Sequence, residues 1–279
     1  MNLHRLFLGF ILLFSFSIYA QTQGVKHKLE LIGKAVPGNL MIGKTEKASE
    51  VYLNDVKLKV DSNGVFVFGF DRDDIGNQVL KVVYADKKVE TRELILKTRK
   101  YNIQKINDVN QKYVNPPPDI LDRIEKETAE ITEARKTIYK TDSTYYVSGF
   151  MRPVEGGRIS GEYGGQRILN KEAKSPHNGI DIALPAGTPV YAMTNGTVCF
   201  KGDDFYYNGN FILLDHGQGL SSVYLHLSKI LVVNGQKVFK GQKIGEVGST
   251  GRSTGPHLHW GVQWYKKRID PQSVLALNF

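Results

Sequence analysis

GPHLHW, residues 255–260, sets two of the chain's seven histidines one residue apart. Read as a strand, it has side chains that alternate between faces with period two. His257 and His259 then share one face, and Leu258 and Trp260 take the other. The alternation runs on through Gly261, Val262, Gln263 and Trp264. One face is apolar, and the opposite face carries two imidazoles above a glycine. Two surface histidines on a half-buried strand would explain this stretch alone. A metal site requires further ligands elsewhere in the chain.

Two other stretches offer them. PHNGIDIAL, residues 176–184, contains His177 and Asp181. A spacing of four suits a helix face, but Pro176 and Gly179 argue for a turn entering a strand at Ile180. FILLDHGQGLSSVYLHLS, residues 211–228, reads as two strands around a turn at 215–219. In its second strand Val223, Leu225 and Leu227 are expected on the apolar face, with Tyr224 and His226 on the other. His216 falls at the expected turn and is set aside as structural or solvated. Five residues on faces free of aliphatic side chains therefore stand out: His177, Asp181, His226, His257 and His259. Two histidines and one carboxylate make a catalytic zinc set with a fourth position left for water. Two histidines remain to handle protons.

These motifs resemble the lysostaphin-type zinc metalloendopeptidases of bacterial cell walls. HNGID, YLHL and GPHLHW carry the likeness. GRISGEYG, GIDIALPAGTPVYA, VFKGQKIGEVGSTGRSTGPHLHWGV and the closing Asp270-Pro271 extend it over residues 148–272. The resemblance implies one Zn2+ per chain held by His177, Asp181 and His259, with His226 and His257 flanking the water. It implies an antiparallel β catalytic domain with a duplicated motif, and peptidoglycan peptide stems as substrate. Lys171 stands six residues before His177, where members that cut glycyl-glycine bonds carry tyrosine. That departure favours the D-alanyl–diaminopimelate links of Gram-negative walls. Relatives that have lost zinc ligands act as regulators of other wall hydrolases, so a non-enzymatic activator or a plain wall-binding module is the alternative.

The remaining chain reads as mostly β. Residues 24–100 hold short strands punctuated by turns, among them Asp61-Ser62-Asn63-Gly64, and suggest a small accessory β-sandwich. A proline-rich break at 115–118 leads into an amphipathic helix of about twenty residues. Its apolar face carries Ile120, Ile124, Ile131, Ala134 and Ile138. Residues 101–147 are thus expected to be linker plus helix, and 148–279 the catalytic domain. Within the latter, AGTPVYAMTNGTV (186–198) and NGQKVFKGQKIGEV (234–247) form a loose repeat. Cys199 stands alone, is expected in a strand core, and excludes an intrachain disulfide.

Residues 1–20 combine Arg5, an apolar run and the small Ala20, as a signal peptide does. The apolar run, residues 6–18, is short for a membrane span of about 20 residues. The protein is therefore expected to be exported, in the periplasm or cell envelope, without a stable span once that segment is cleaved. Net charge is +9, falling to 36 − 28 = +8 without Arg5. A basic exported protein is drawn to anionic surfaces. Nucleic acid is excluded as a partner, because the lysines are scattered and form no stripe interleaved with aromatics. Nothing in the sequence specifies a protein partner.

Overall fold

Asp61 shows how local chemistry shapes the N-terminal part. Its carboxylate accepts the backbone N–H of Asn63 at 2.8 Å and of Val65 at 2.7 Å, and Gly64 takes φ +82°. The chain then enters the strand Val65–Gly69. Residues 58–60 before the turn are rich in β-formers, yet they join no ladder, and Leu58 is buried in the core instead. Asn54 and Asp55 both have positive φ, as a two-residue hairpin turn requires. They join Glu50–Leu53 to Val56–Lys57.

The computed structural model describes residues 27–277, and the expected signal segment at 1–20 lies outside them. Two antiparallel sheets form the N-terminal sandwich. One orders Glu30–Ile32, Leu40–Lys44 and Val65–Gly69. The other orders Val56–Lys57, Glu50–Leu53, Gly76–Val83 and Val89–Leu96. Leu40, Ile42, Phe66, Phe68 and Leu80 are wholly buried or nearly so. Among the described residues no helix is long and apolar enough to cross a membrane.

The segment expected as a linker is built into the fold. Ile103–Ile106 pairs parallel with Gln166–Leu169, which continues antiparallel to Glu172–Ala173. The helix Pro118–Ile138 has Pro118 in its first turn, where a missing N–H costs nothing, beside Asp119. It lies on Gly196–Phe205 and Gly209–Gly217. Ile138 is buried, and Ile120, Ile124, Ile131 and Ala134 are half-buried. The Cys199 thiol sits beneath the helix and donates to the Ala134 carbonyl at 3.0 Å.

The C-terminal sheet has ten strands. Its central path runs Gly196–Phe205, Gly209–Gly217, Leu220–Ile230, His257–Trp264, Ile180–Ala183 and Arg158–Gly161. The loose repeat proves to be two units that pair with each other. Pro189–Tyr191 lies antiparallel to Lys243–Val247, and Gly196 and Thr197 lie opposite Val238 and Lys237.

One continuous apolar core joins the sandwich to this sheet. Gly69 lies so close to Ile269 that a Cβ would stand 2.6 Å from its Cδ1. Arg99 pairs with Asp270 at 2.7 Å, and the Asp270 N–H donates to the Gly38 carbonyl at 2.7 Å. The two parts are therefore expected to unfold together. Ile269→Ala should cost about 2–5 kcal/mol. Fluorescence of Trp260 and Trp264, both in the ten-stranded sheet, should report the same denaturant midpoint as far-UV dichroism of the whole chain. Separate transitions would show that the shared core does not couple the parts.

Candidate metal centre

His226 reaches the centre through a break in its strand. Regular alternation would send it with Tyr224 into the core, where Tyr224 is completely buried opposite Trp260. Instead His226 has φ +63°, and the register shifts nearby, between Leu227 and Lys229 on one side of the strand and between Asn210 and Ile212 on the other. Such a bulge re-aims a side chain. The His226 ring then lies 4.7 Å from that of His257 and 6.3 Å from that of His259. The expectation that Val223 and Leu225 face away from the site is corrected accordingly. Leu225 stands directly opposite His259, and both aliphatics are half-buried along the same face. The centre therefore does not lie on a face free of aliphatic side chains.

Ile180–Ala183 lies antiparallel to the HxH strand, with Asp181 opposite His259. His177 enters from the turn before it. The His177 Nε2, Asp181 Oδ1 and His259 Nδ1 atoms form a triangle with edges of 3.0, 3.0 and 2.8 Å. All three residues are buried. Ligands about 2.0–2.1 Å from a tetrahedral zinc stand roughly 3.3 Å apart, so this donor set suits that ion. Two glycines make the room. A Cβ on Gly179 would meet the His259 Nε2 at 2.8 Å, and one on Gly161 would meet the Asp181 Oδ2 at 2.5 Å.

Backbone carbonyls set the imidazole orientations. His177 Nδ1 is 3.0 Å from the Glu162 carbonyl, His226 Nδ1 is 2.8 Å from that of Thr250, and His257 Nδ1 is 2.8 Å from that of Gly255. Each Nδ1–H donates outward, which leaves Nε2 with its lone pair for the centre. Burial holds the pKa of His226 down to about 3 and that of His259 to about 4. Burial opposes the charge of Asp181, but the imidazoles of His177 and His259 set against it outweigh that and keep the carboxyl well below its usual range. Arg167 adds a guanidinium bond to the Asp181 Oδ2. No local motif points to Arg167, ten residues before His177 and on another strand.

His216, set aside as a turn residue, is fully buried within Gly209–Gly217. It bonds the Asn195 carbonyl at 2.8 Å and the Ser222 hydroxyl at 2.7 Å, and it stays structural. Lys171 is exposed in a turn at φ +72°.

Two cavities flank the ligands. A groove of about 680 Å³ has His177 and His259 on its floor, and the long helix forms one wall with Thr128, Ile131 and Arg135. A smaller space of about 270 Å³ holds His226, His257 and Asp181. Asp108, Val109, Asn110 and Tyr113 line its other side, so the segment between sandwich and helix passes over His226 and His257. That segment packs through Val109 and Val114 onto Leu169.

Residues 175–271 match the model of Peptidase family M23. Over 105 residues the chain is 49% identical to the peptidoglycan DD-endopeptidase ShyA of Vibrio cholerae, a match of 37% of this chain and 24% of that protein. Over 124 residues it is 40% identical to the DD-carboxypeptidase/endopeptidase Mpg of Neisseria meningitidis, covering 44% and 28%. The chain thus spans about a quarter of the length of these curated relatives. A crystal structure described as an M23 peptidase, from Pseudomonas aeruginosa, superposes over 88% of this chain and 96% of its own, with a TM-score of 0.64 and 29% identity. Residues 175–271 are thus a peptidase family M23 domain, and that domain contains His177, Asp181, His226, His257 and His259.

Proposed function

We propose that the protein is a zinc-dependent endopeptidase that hydrolyses peptide cross-links of bacterial peptidoglycan. The observation that carries this is the triangle of His177, Asp181 and His259 donor atoms with two more imidazoles turned toward it. A zinc ion held there would polarise the scissile carbonyl and lower the pKa of a bound water from 15.7 toward about 7. The rest falls to the chain's own side chains. No glutamate base stands in an HExxH arrangement, so histidine must take the proton. His257 is half-buried, and its Nε2 lies 3.9 Å from the Asp181 Oδ1. A cation there is partly hydrated and faces a carboxylate. His257 is accordingly assigned to accept the water's proton and pass it to the leaving amine. His226 is buried, so its cation is disfavoured. Its Nε2 lone pair orients the attacking water as a hydrogen-bond acceptor.

The relatives' names support a peptidoglycan substrate and an exported protein, in the periplasm or envelope. The bond assigned is D-alanyl–diaminopimelate, which agrees with Lys171 standing away from the groove. A regulator that only binds other hydrolases has no need of a converged ligand set. Digestion of isolated peptidoglycan followed by mass analysis of the fragments tests the assignment. Release of peptides cut at another bond, or none at all, would contradict it.

Chelation should abolish hydrolysis, and added zinc should restore it. The two histidines of GPHLHW should separate on substitution. His259→Ala removes one of three protein ligands, so zinc stoichiometry should collapse together with activity. His257→Ala should keep its zinc and lose about 10²–10⁴ in turnover. Metal analysis beside steady-state kinetics reads both, and a His257→Ala protein that loses its zinc would reverse the roles.

The segment over the catalytic histidines is proposed to restrict entry to the cleft. Deleting the N-terminal part would expose the shared core, so point changes are the cleaner probe. Val109→Ala with Val114→Ala should loosen the cover and raise kcat/KM on soluble cross-linked peptides. Unchanged or lower kcat/KM in a folded double variant would point to a substrate-binding role for the segment.

A further inference from the structure

The larger groove is strongly cationic. Arg135, Arg167, Lys174, Arg252 and Arg268 line it, and no aspartate or glutamate does. Arg167 and Lys174 are already paired, with Asp181 and Glu172. Arg252 lies over the Tyr207 ring at 4.5 Å. Arg135 and Arg268 stand differently. Arg135 donates to the Ser221 hydroxyl at 3.2 Å, and the Asp71 carboxylate near Arg268 is engaged by the Arg268 backbone N–H at 2.9 Å. Neither side chain forms a salt bridge among the described residues, and both line the small recess beside Ser221 and Gln263. Burial, and then the neighbouring Arg268, holds Arg135 down to about 10. Two like charges brought together out of water are unfavourable unless an anion joins them.

Their position relative to the ligands is set by the sheet. Arg268 pairs with Gln263, four residues beyond His259 on the same strand face. At about 3.3–3.4 Å per residue the offset is roughly 13 Å. Between the two ends the floor is apolar, formed by Phe211, Leu213, Val223 and Leu225.

We propose that this end of the groove is a carboxylate-binding subsite, in which Arg135 and Arg268 together grip an acid group of the peptide about three to four extended residues from the bond that is cut. The proposal rests on the peptide-hydrolase reading above, and it makes the long helix part of the substrate site. Planar guanidinium forks suit a carboxylate, and since no acid lines the groove, the place is open to one carried by the ligand.

The test compares acid with amide. Cross-linked peptide dimers released from peptidoglycan are prepared with their carboxylates free or converted to primary amides. For the wild-type zinc-loaded protein, amidation should raise KM about 10–100-fold, the range of charge-assisted hydrogen bonds, with kcat little changed. Arg135→Gln and Arg268→Gln should each show the raised KM on the acid and little further change on the amide. Calorimetric binding of the uncross-linked product peptide, acid against amide, to wild-type protein needs neither hydrolysis nor a variant. Equal affinity for acid and amide in wild type would overturn the subsite, as would variants that still discriminate. Cleavage of both dimers with equal KM would leave the hydrolase reading standing and remove the subsite. Preference for the acid in binding, with neither dimer cut, would do the reverse.

Discussion

Asp181 sits in the middle of a sheet with its carboxylate almost cut off from water. Burying an unpaired carboxylate costs several kcal/mol, so the surroundings must supply polar partners. His177 and His259 approach Oδ1, and Arg167 takes Oδ2. Each of these groups comes from a different element. The turn before the strand carries His177, the neighbouring strand carries His259, and a small separate sheet carries Arg167. Satisfying one buried charge therefore ties three parts of the C-terminal half together. The close approach also explains why Gly161 and Gly179 flank the centre, since any side chain there would strike a ligand.

The same requirement draws in the N-terminal half. Arg167 is positioned by Gln166–Leu169, and that strand is paired on one side by Ile103–Ile106 from beyond the sandwich. The Gln104 side-chain oxygen lies 3.3 Å from the Arg167 Nε. A segment that connects domains in sequence thus orients a guanidinium that orients the buried carboxylate of the candidate metal centre. The chain then passes over the histidines and returns as the helix that walls the groove. Access, ligand orientation and groove charge are all set by residues outside the matched family domain as well as within it.

Much of this was legible beforehand. The strand at GPHLHW, the hairpins of the sandwich and the helix after the proline break all follow from local rules: alternation of side chains, turn residues that tolerate positive φ, and apolar spacing near 3.6. The five polar residues of the centre were recognisable by type and spacing. His216 was misplaced because the strand runs three residues further than turn composition suggested, to Gly217, which buries it between Asn195 and Ser222.

Sequence by itself determined that His257 and His259 share a face, because alternation along a strand is fixed by covalent geometry and needs no partner. It likewise determined the turn at Gly179 and the apolar stripe of the helix. Only the tertiary structure decided which way His226 points. Its φ of +63° is held by pairing across the sheet, with its N–H on the Asn208 carbonyl and its ring on that of Thr250. A register shift is a relation between strands, so no window of one strand can show it. Arg135, Arg167 and Arg268 belong to the same class. They lie far apart in sequence, on elements with no shared motif, and they become neighbours of the cleft only when the sheet, the connecting segment and the helix pack together.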